Sequence, residues 1–149
     1  IRLLFVQEVH MNHLYRFNQV FKQTNLIYYT YAKQNHLSLT DFWIFYYLRL
    51  ENKPLTQSEL QLYLLVPKQT VHSAIHSLEK EGYVECIPSN TKKKYFQLSQ
   101  KGKEFSDTFI PALMEAEEKA LKALCDIDTY LSLEETYKEE LEDILWPSS

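Results

Sequence analysis

Apolar and aromatic residues recur at helical spacing through residues 9–34, among them Leu14, Phe17, Phe21 and Tyr28, with no glycine or proline to interrupt them. That pattern predicts one long helix. Ser38-Leu39-Thr40-Asp41 then offers a cap. Residues 42–50 predict a second helix with almost no polar face, since Trp43, Phe45, Tyr46, Tyr47 and Leu48 crowd it, so it should be buried on most sides. Asn52-Lys53-Pro54 ends it. Thr56 followed three residues later by Glu59 is a capping-box pattern that opens a short helix to about Tyr63. Leu64-Leu65-Val66 makes a turn, and Pro67 falls in the first turn of the next helix, where proline is tolerated. This helix runs to about Lys80 and stops at Gly82. Val71, Ile75 and Leu78 share one of its faces; Lys68, Gln69, His72, Ser73 and His76 share the other.

Residues 83–87 and 94–98 read as two strands, and Pro88-Ser89-Asn90-Thr91-Lys92-Lys93 between them has turn chemistry and charge. A helix resumes at Ser99, passes Pro111 with a kink or a short break, and continues through Leu113, Ala120, Leu121 and Leu124. Ser132 with Glu135 is a second capping-box pattern, and Leu133, Tyr137, Leu141 and Leu145 then make a terminal amphipathic helix. The expected architecture is mainly α with a small β-hairpin wing: a winged helix-turn-helix at 38–102, flanked by helices at 1–37 and 103–149, all within one domain spanning 1–149. A helix-turn-helix places one helix in the DNA major groove, and a basic hairpin beside it reaches phosphates.

Composition leaves this picture intact. The chain has 149 residues, 45% of them hydrophobic and 24% charged, a globular balance with room for one core. Only 2 glycines and 5 prolines disfavour a large sheet with many tight turns. No apolar run approaches the roughly 18 residues that a membrane span needs. The first residues lack the features of a signal peptide, so a soluble cytoplasmic protein is expected. Net charge is −4, which at first argues against a nucleic-acid partner. Its distribution argues otherwise: residues 53–103 hold 8 lysines against 4 acids, whereas residues 104–149 hold 3 basic residues against 13 acids. A basic middle beside an acidic tail is the footprint of local phosphate contact. Glutamine reads an adenine edge with two hydrogen bonds, lysine reaches guanine or phosphate, and serine, threonine and histidine add shorter contacts. Of Lys92, Lys93 and Lys94 at the hairpin, about two can face a duplex at once, each neutralised phosphate steepening the salt dependence by about 0.9.

The stretch from Leu60 to Val84, with its core Val66-Pro67-Lys68-Gln69-Thr70-Val71-His72-Ser73 and its ending Leu78-Glu79-Lys80-Glu81-Gly82, resembles the MarR (multiple antibiotic resistance regulator) family, as does Leu98-Ser99-Gln100-Lys101-Gly102 after the wing. The order of elements matches over essentially the whole chain. The resemblance implies a homodimeric winged-helix regulator, typically a bacterial repressor of nearby genes, bound to a pseudo-palindromic double-stranded operator. It implies DNA contacts by Lys68, Gln69, Thr70, His72 and Ser73; His76 and the wing residues Lys92, Lys93 and Lys94 complete the candidate set. Two departures stand out. The family's wing commonly carries Asp-x-Arg, where this chain has Asn90-Thr91-Lys92, and an arginine is frequent where Ser73 stands. Lysine lacks arginine's planar fork, so phosphate contact is expected of this wing more than minor-groove reading.

Dimerisation is also expected on physical grounds. Leu3, Leu4, Phe5 and Val6 at one end, and Leu133, Tyr137, Leu141 and Leu145 at the other, need more cover than one small lobe offers. Aromatic residues at helical spacing read first as core. The family's small aromatic effectors nevertheless make Tyr28, Tyr31, Trp43, Tyr46 and Tyr47 the candidates for a ligand pocket. His10 with His13, and His72 with His76, lack an accompanying acid or cysteine motif, so no metal is expected, nor any cofactor. The family's oxidant-sensing branch keeps its cysteine in the first helix; here Cys86 reads as a buried strand residue and Cys125 as a helix end. No phosphate loop, nucleophile elbow or metal-hydrolase spacing suggests an enzyme. The alternative is a winged-helix protein-interaction module with weak or no specific DNA binding, which the acidic 104–149 segment would suit.

Overall fold

The computed structural model of the chain describes residues 2–90 and 92–147, with side chains from residue 12 onward. The expectations for Leu3, Leu4, Phe5, Val6, His10 and Thr91 therefore fall outside the described side chains. Internal contacts divide the chain into two units, one up to Asp107 and one from Thr108.

In the first unit, helix α1 (Arg2–Gln34) begins earlier than the sequence pattern suggested. Helix α2 (Leu39–Glu51) starts where Ser38 accepts a hydrogen bond from the Asp41 backbone N–H at 3.1 Å. It lies at the centre of the unit, in contact with α1 and with the later helices at residues 57–64, 68–80 and 100–107. Phe42, Ile44, Phe45 and Leu48 are buried on it. Asn52 ends it in the left-handed conformation, as the Asn-Lys-Pro pattern implied.

A strand that the sequence did not announce follows. β1 (Leu55–Thr56) is two residues long and pairs antiparallel with β3, Leu55 opposite Phe96 and Thr56 opposite Tyr95. A two-residue strand has no period to read; it exists because its partner edge holds it. Helix α3 (Gln57–Leu64) opens with the expected capping box, the Glu59 N–H donating to Thr56 Oγ1 and the Thr56 N–H donating to the Glu59 carboxylate at 2.7 Å. Leu65 closes it at φ 53°, and Pro67 stands one residue earlier than expected, as the N-cap of helix α4 (Lys68–Lys80) rather than inside its first turn.

Helix α4 ends in a Schellman motif. The Tyr83 N–H donates to the Leu78 carbonyl and the Gly82 N–H to that of Glu79, with Gly82 at φ 80°. Strands β2 (Val84–Ile87) and β3 (Tyr95–Leu98) form the hairpin, and the sheet order is β1-β3-β2. Helix α5 (Gln100–Asp107) completes the unit, with the Arg49 guanidinium of α2 paired to Asp107.

The second unit holds helices α6 (Ile110–Lys122) and α7 (Ile127–Leu145). The expected kink at Pro111 is a break just before it: α5 stops at Asp107, and proline sits in the first turn of α6, where its missing N–H costs nothing. The second capping box is overturned. α7 begins at Asp126, whose carboxylate accepts from the Thr129 N–H at 3.1 Å, so Ser132 is already inside the helix, its carbonyl accepting from the Thr136 hydroxyl. A helix starts at the first cap available to it, and an interior Ser…Glu pair caps nothing.

Burial corrects the aromatic reading as well. Phe17, Phe21 and Tyr29 on α1 are exposed, and Tyr28, Tyr31, Trp43, Tyr46 and Tyr47 are half-buried. The fully buried large side chains of the first unit are instead Phe42, Phe45, Ile44, Leu55, Leu60 and Val71. Cys86 is half-buried rather than buried, and Cys125 is exposed.

Candidate nucleic-acid interface

The polar face of α4 is set by what its other face must do. Val71, Ile75 and Leu78 are buried against α2 and α3, which turns Lys68, Gln69, Thr70, His72, Ser73 and His76 outward, and all six are exposed. All of them project from one 13-residue helix. The hydrophobic stripe thus fixes the position of the polar residues without contacting them.

At the N-terminal end of α4 the candidates from two elements converge. Lys68 of α4 and Lys93 and Lys94 of the hairpin line one cleft of about 320 Å³ together with Thr56, Gln57, Ser58 and Phe96. Lys92 is exposed beside them at the hairpin tip. The pairing of β1 with β3 makes this possible, because it ties the start of α3 to the base of the wing. The result is a basic cleft at the N-terminal end of α3, a combination that favours anions.

Sequence reasoning missed Thr56, Gln57 and Ser58 as part of this surface. Thr56 was read only as a cap, and Gln57 carries no pattern of its own. Gln57 nevertheless links the two helices, its Nε2 donating to the Lys68 carbonyl at 3.3 Å and its Oε1 lying 3.4 Å from His72 Nδ1. Close by, Glu59 is held below the ordinary glutamate range, first by the Thr56 backbone N–H and then by the Thr56 hydroxyl, with Lys53 and Lys93 adding to the effect. The carboxylate at this edge of the cleft is therefore tied into the cap.

The five candidates for a ligand pocket form a connected aromatic group. Tyr28, Tyr46 and Tyr47 surround Trp43 at ring-centroid distances of 5.0, 5.3 and 6.0 Å, and Tyr31 meets Phe42 edge-on at 6.1 Å. Tyr47 also stacks on Tyr63 of α3 at 4.9 Å, so the group joins α1 and α2 to the helix-turn-helix. Burial raises the Tyr31 phenol above its ordinary range. The five candidate residues are half-buried, whereas Phe42 beside them is fully buried.

Residues 37–94, which hold α2, the helix-turn-helix and the lysines of the wing, match the MarR family sequence model. Over that segment the chain is similar to the MarR family. Solved structures agree over a longer stretch. A MarR family regulator from Neisseria meningitidis superposes with a TM-score of 0.68 at 23% identity, covering 87% of this chain and 95% of that one. The transcription regulator MarR from Oenococcus oeni gives 0.69 at 19%, covering 87% and 98%. A MarR family transcriptional regulator from Listeria monocytogenes, complexed with a 26mer DNA, gives 0.65 at 23%, covering 87% and 89%. At these identities the superpositions establish the fold. No curated protein matches the chain significantly. Among the described residues, no helix of this chain is long and apolar enough to cross a membrane.

Proposed function

We propose that the chain is a DNA-binding transcriptional regulator that acts as a homodimer on a pseudo-palindromic operator and represses nearby genes. The observation that carries this reading is the convergence of Lys68, Lys93 and Lys94 on one cleft beside the outward polar face of α4, inside a MarR family winged helix. In this reading Gln69, Thr70, His72 and Ser73 meet base edges, His76 lies farther along the groove, and Lys68, Lys92, Lys93 and Lys94 neutralise phosphates. The Listeria protein was solved with DNA, which adds weight.

Homodimer formation is favoured by large apolar side chains that stay exposed on α1 and on α7, among them Val20, Phe21, Ile27, Leu133 and Ile144. The flanking helices at 1–37 and 103–149 serve as the dimerisation lobe in this scheme, and 38–102 as the DNA-binding lobe. A small aromatic effector, if one is used, is best accommodated by the group around Trp43, which joins α1 and α2 to α3. Its binding would bias one of two lobe separations, only one of which fits the half-site spacing.

The test is fluorescence anisotropy with the duplex upstream of the protein's own gene, against a scrambled duplex, at several salt concentrations. Preference for the first duplex with a steep salt slope supports the regulator. Equal, weak binding to both supports a protein-interaction module instead.

A further inference from the structure

The amide of Gln57 has one accepting end and one donating end, and both are engaged by α4. The Lys68 carbonyl can only accept, so the amide NH2 must face it, and the amide oxygen must then face His72 Nδ1. A carbonyl oxygen likewise only accepts, so Nδ1 must carry the proton. The neutral ring is left with a bare Nε2, an acceptor, on a side chain exposed on the polar face of α4.

We propose that Gln57 is a positioning residue that fixes His72 in the Nδ1–H tautomer, so that Nε2 accepts a hydrogen bond from an exocyclic amino group of the operator, adenine N6 or cytosine N4. This rests on the DNA-binding reading above. In the major groove those two amino groups are the donors, while guanine N7 and O6 and thymine O4 are acceptors that would set lone pair against lone pair. An untethered histidine on a solvated helix exchanges tautomers and favours the Nε2–H form, which offers a donor at that nitrogen. Gln57 reverses that preference. It acts on base choice although it belongs to α3 rather than to the helix proposed to read the groove, and the two contacts, each longer than an ordinary N–H···O bond, reinforce one another by sharing one rigid amide.

The first arm of the test is the two-bond proton–nitrogen correlation of the histidine rings in the full-length, DNA-free chain, at a pH where imidazole is neutral. The wild type is expected to show His72 protonated at Nδ1. Gln57→Ala should shift it toward the Nε2–H form of solvated histidines. The second arm is selection from a randomised duplex library followed by sequencing. At one position per half-site the wild type should prefer adenine or cytosine; His72→Ala should abolish that preference, and Gln57→Ala should weaken it about fivefold. An Nε2–H ring in the wild type, or an unchanged base profile in Gln57→Ala, overturns the inference while leaving the regulator standing. A wild type that enriches no sequence overturns the DNA-binding reading and the base contact with it, and the tautomer result then shows that this failure lies with the partner rather than with Gln57.

Discussion

At the scale of single residues, three backbone positions carry separable physical demands. An added Cβ on Gly102 would lie 2.0 Å from the Tyr83 carbonyl oxygen, which already accepts the Ser99 N–H at 3.0 Å. Neither partner is a flexible side-chain end, so Gly102→Ala should cost about 2–3 kcal/mol in urea denaturation. Gly82 faces open space, its nearest neighbour being Lys101 Cδ at 3.9 Å, and its need is only the positive φ. Gly82→Ala should therefore cost less, about 1 kcal/mol. Leu65 presents the converse case: a branched residue held at φ 53° with its side chain 87% exposed contributes strain and little burial. Leu65→Gly should stabilise the chain by up to about 1 kcal/mol in the same assay. Glu59 has a pH signature. Its folded value lies below the unfolded one, so the cap's contribution is fully present above the ordinary glutamate range and is lost as pH falls through the folded value. Thermal melts of Glu59→Gln should show a flatter acid limb than those of the wild type; parallel limbs would refute the assignment.

At the scale of elements, the proposed interface divides the work of binding between α4 and the hairpin. Gln69→Ala and His72→Ala should reduce sequence preference by about 1–3 kcal/mol per lost base contact while leaving the salt slope nearly as it was. Replacing Lys92, Lys93 and Lys94 together by alanine should do the reverse, flattening the slope of log affinity against log salt by about 1–2 and sparing sequence preference. Anisotropy titrations on operator and scrambled duplexes separate the two effects. A triple variant that lost preference at constant slope would place the hairpin in a groove instead. α4 is also held from outside itself: Lys101 of α5 donates to the Glu81 carbonyl at its C-terminus and lies over the Tyr83 ring at 4.2 Å. Helix α4 is thus anchored by α3 near one end and by α5 at the other.

At the scale of the whole molecule, exposed apolar surface is the decisive feature. Leu133 is 65% exposed and Ile144 73% exposed on α7, and Phe21 is 59% exposed on α1. Surfaces of this kind in a chain of 149 residues call for a partner. Ile144→Glu should shift sedimentation from dimer toward monomer and weaken operator binding together, because paired recognition helices are what a two-fold operator rewards. A monomeric wild type at micromolar concentration would remove the proposed lobe.

The sequence by itself determined the elements whose cause is local. Thr56 and Glu59 cap α3 because a hydroxyl and a carboxylate three residues apart can satisfy each other's backbone. Gly82 stops α4 because it accepts a positive φ cheaply, and Val71, Ile75 and Leu78 orient the helix because their spacing matches its turn. Ser132 with Glu135 shows the limit of that logic, since the same pattern caps nothing once Asp126 has begun the helix six residues earlier. Tertiary structure alone decided the site. β1 exists only through its pairing with β3, and that pairing brings the start of α3 beside Lys93 and Lys94. Gln57 reaches His72 across 15 positions of sequence, a distance over which no helical or strand period operates. Such contacts depend on how elements pack, and packing leaves no repeat for a reader of the chain to find.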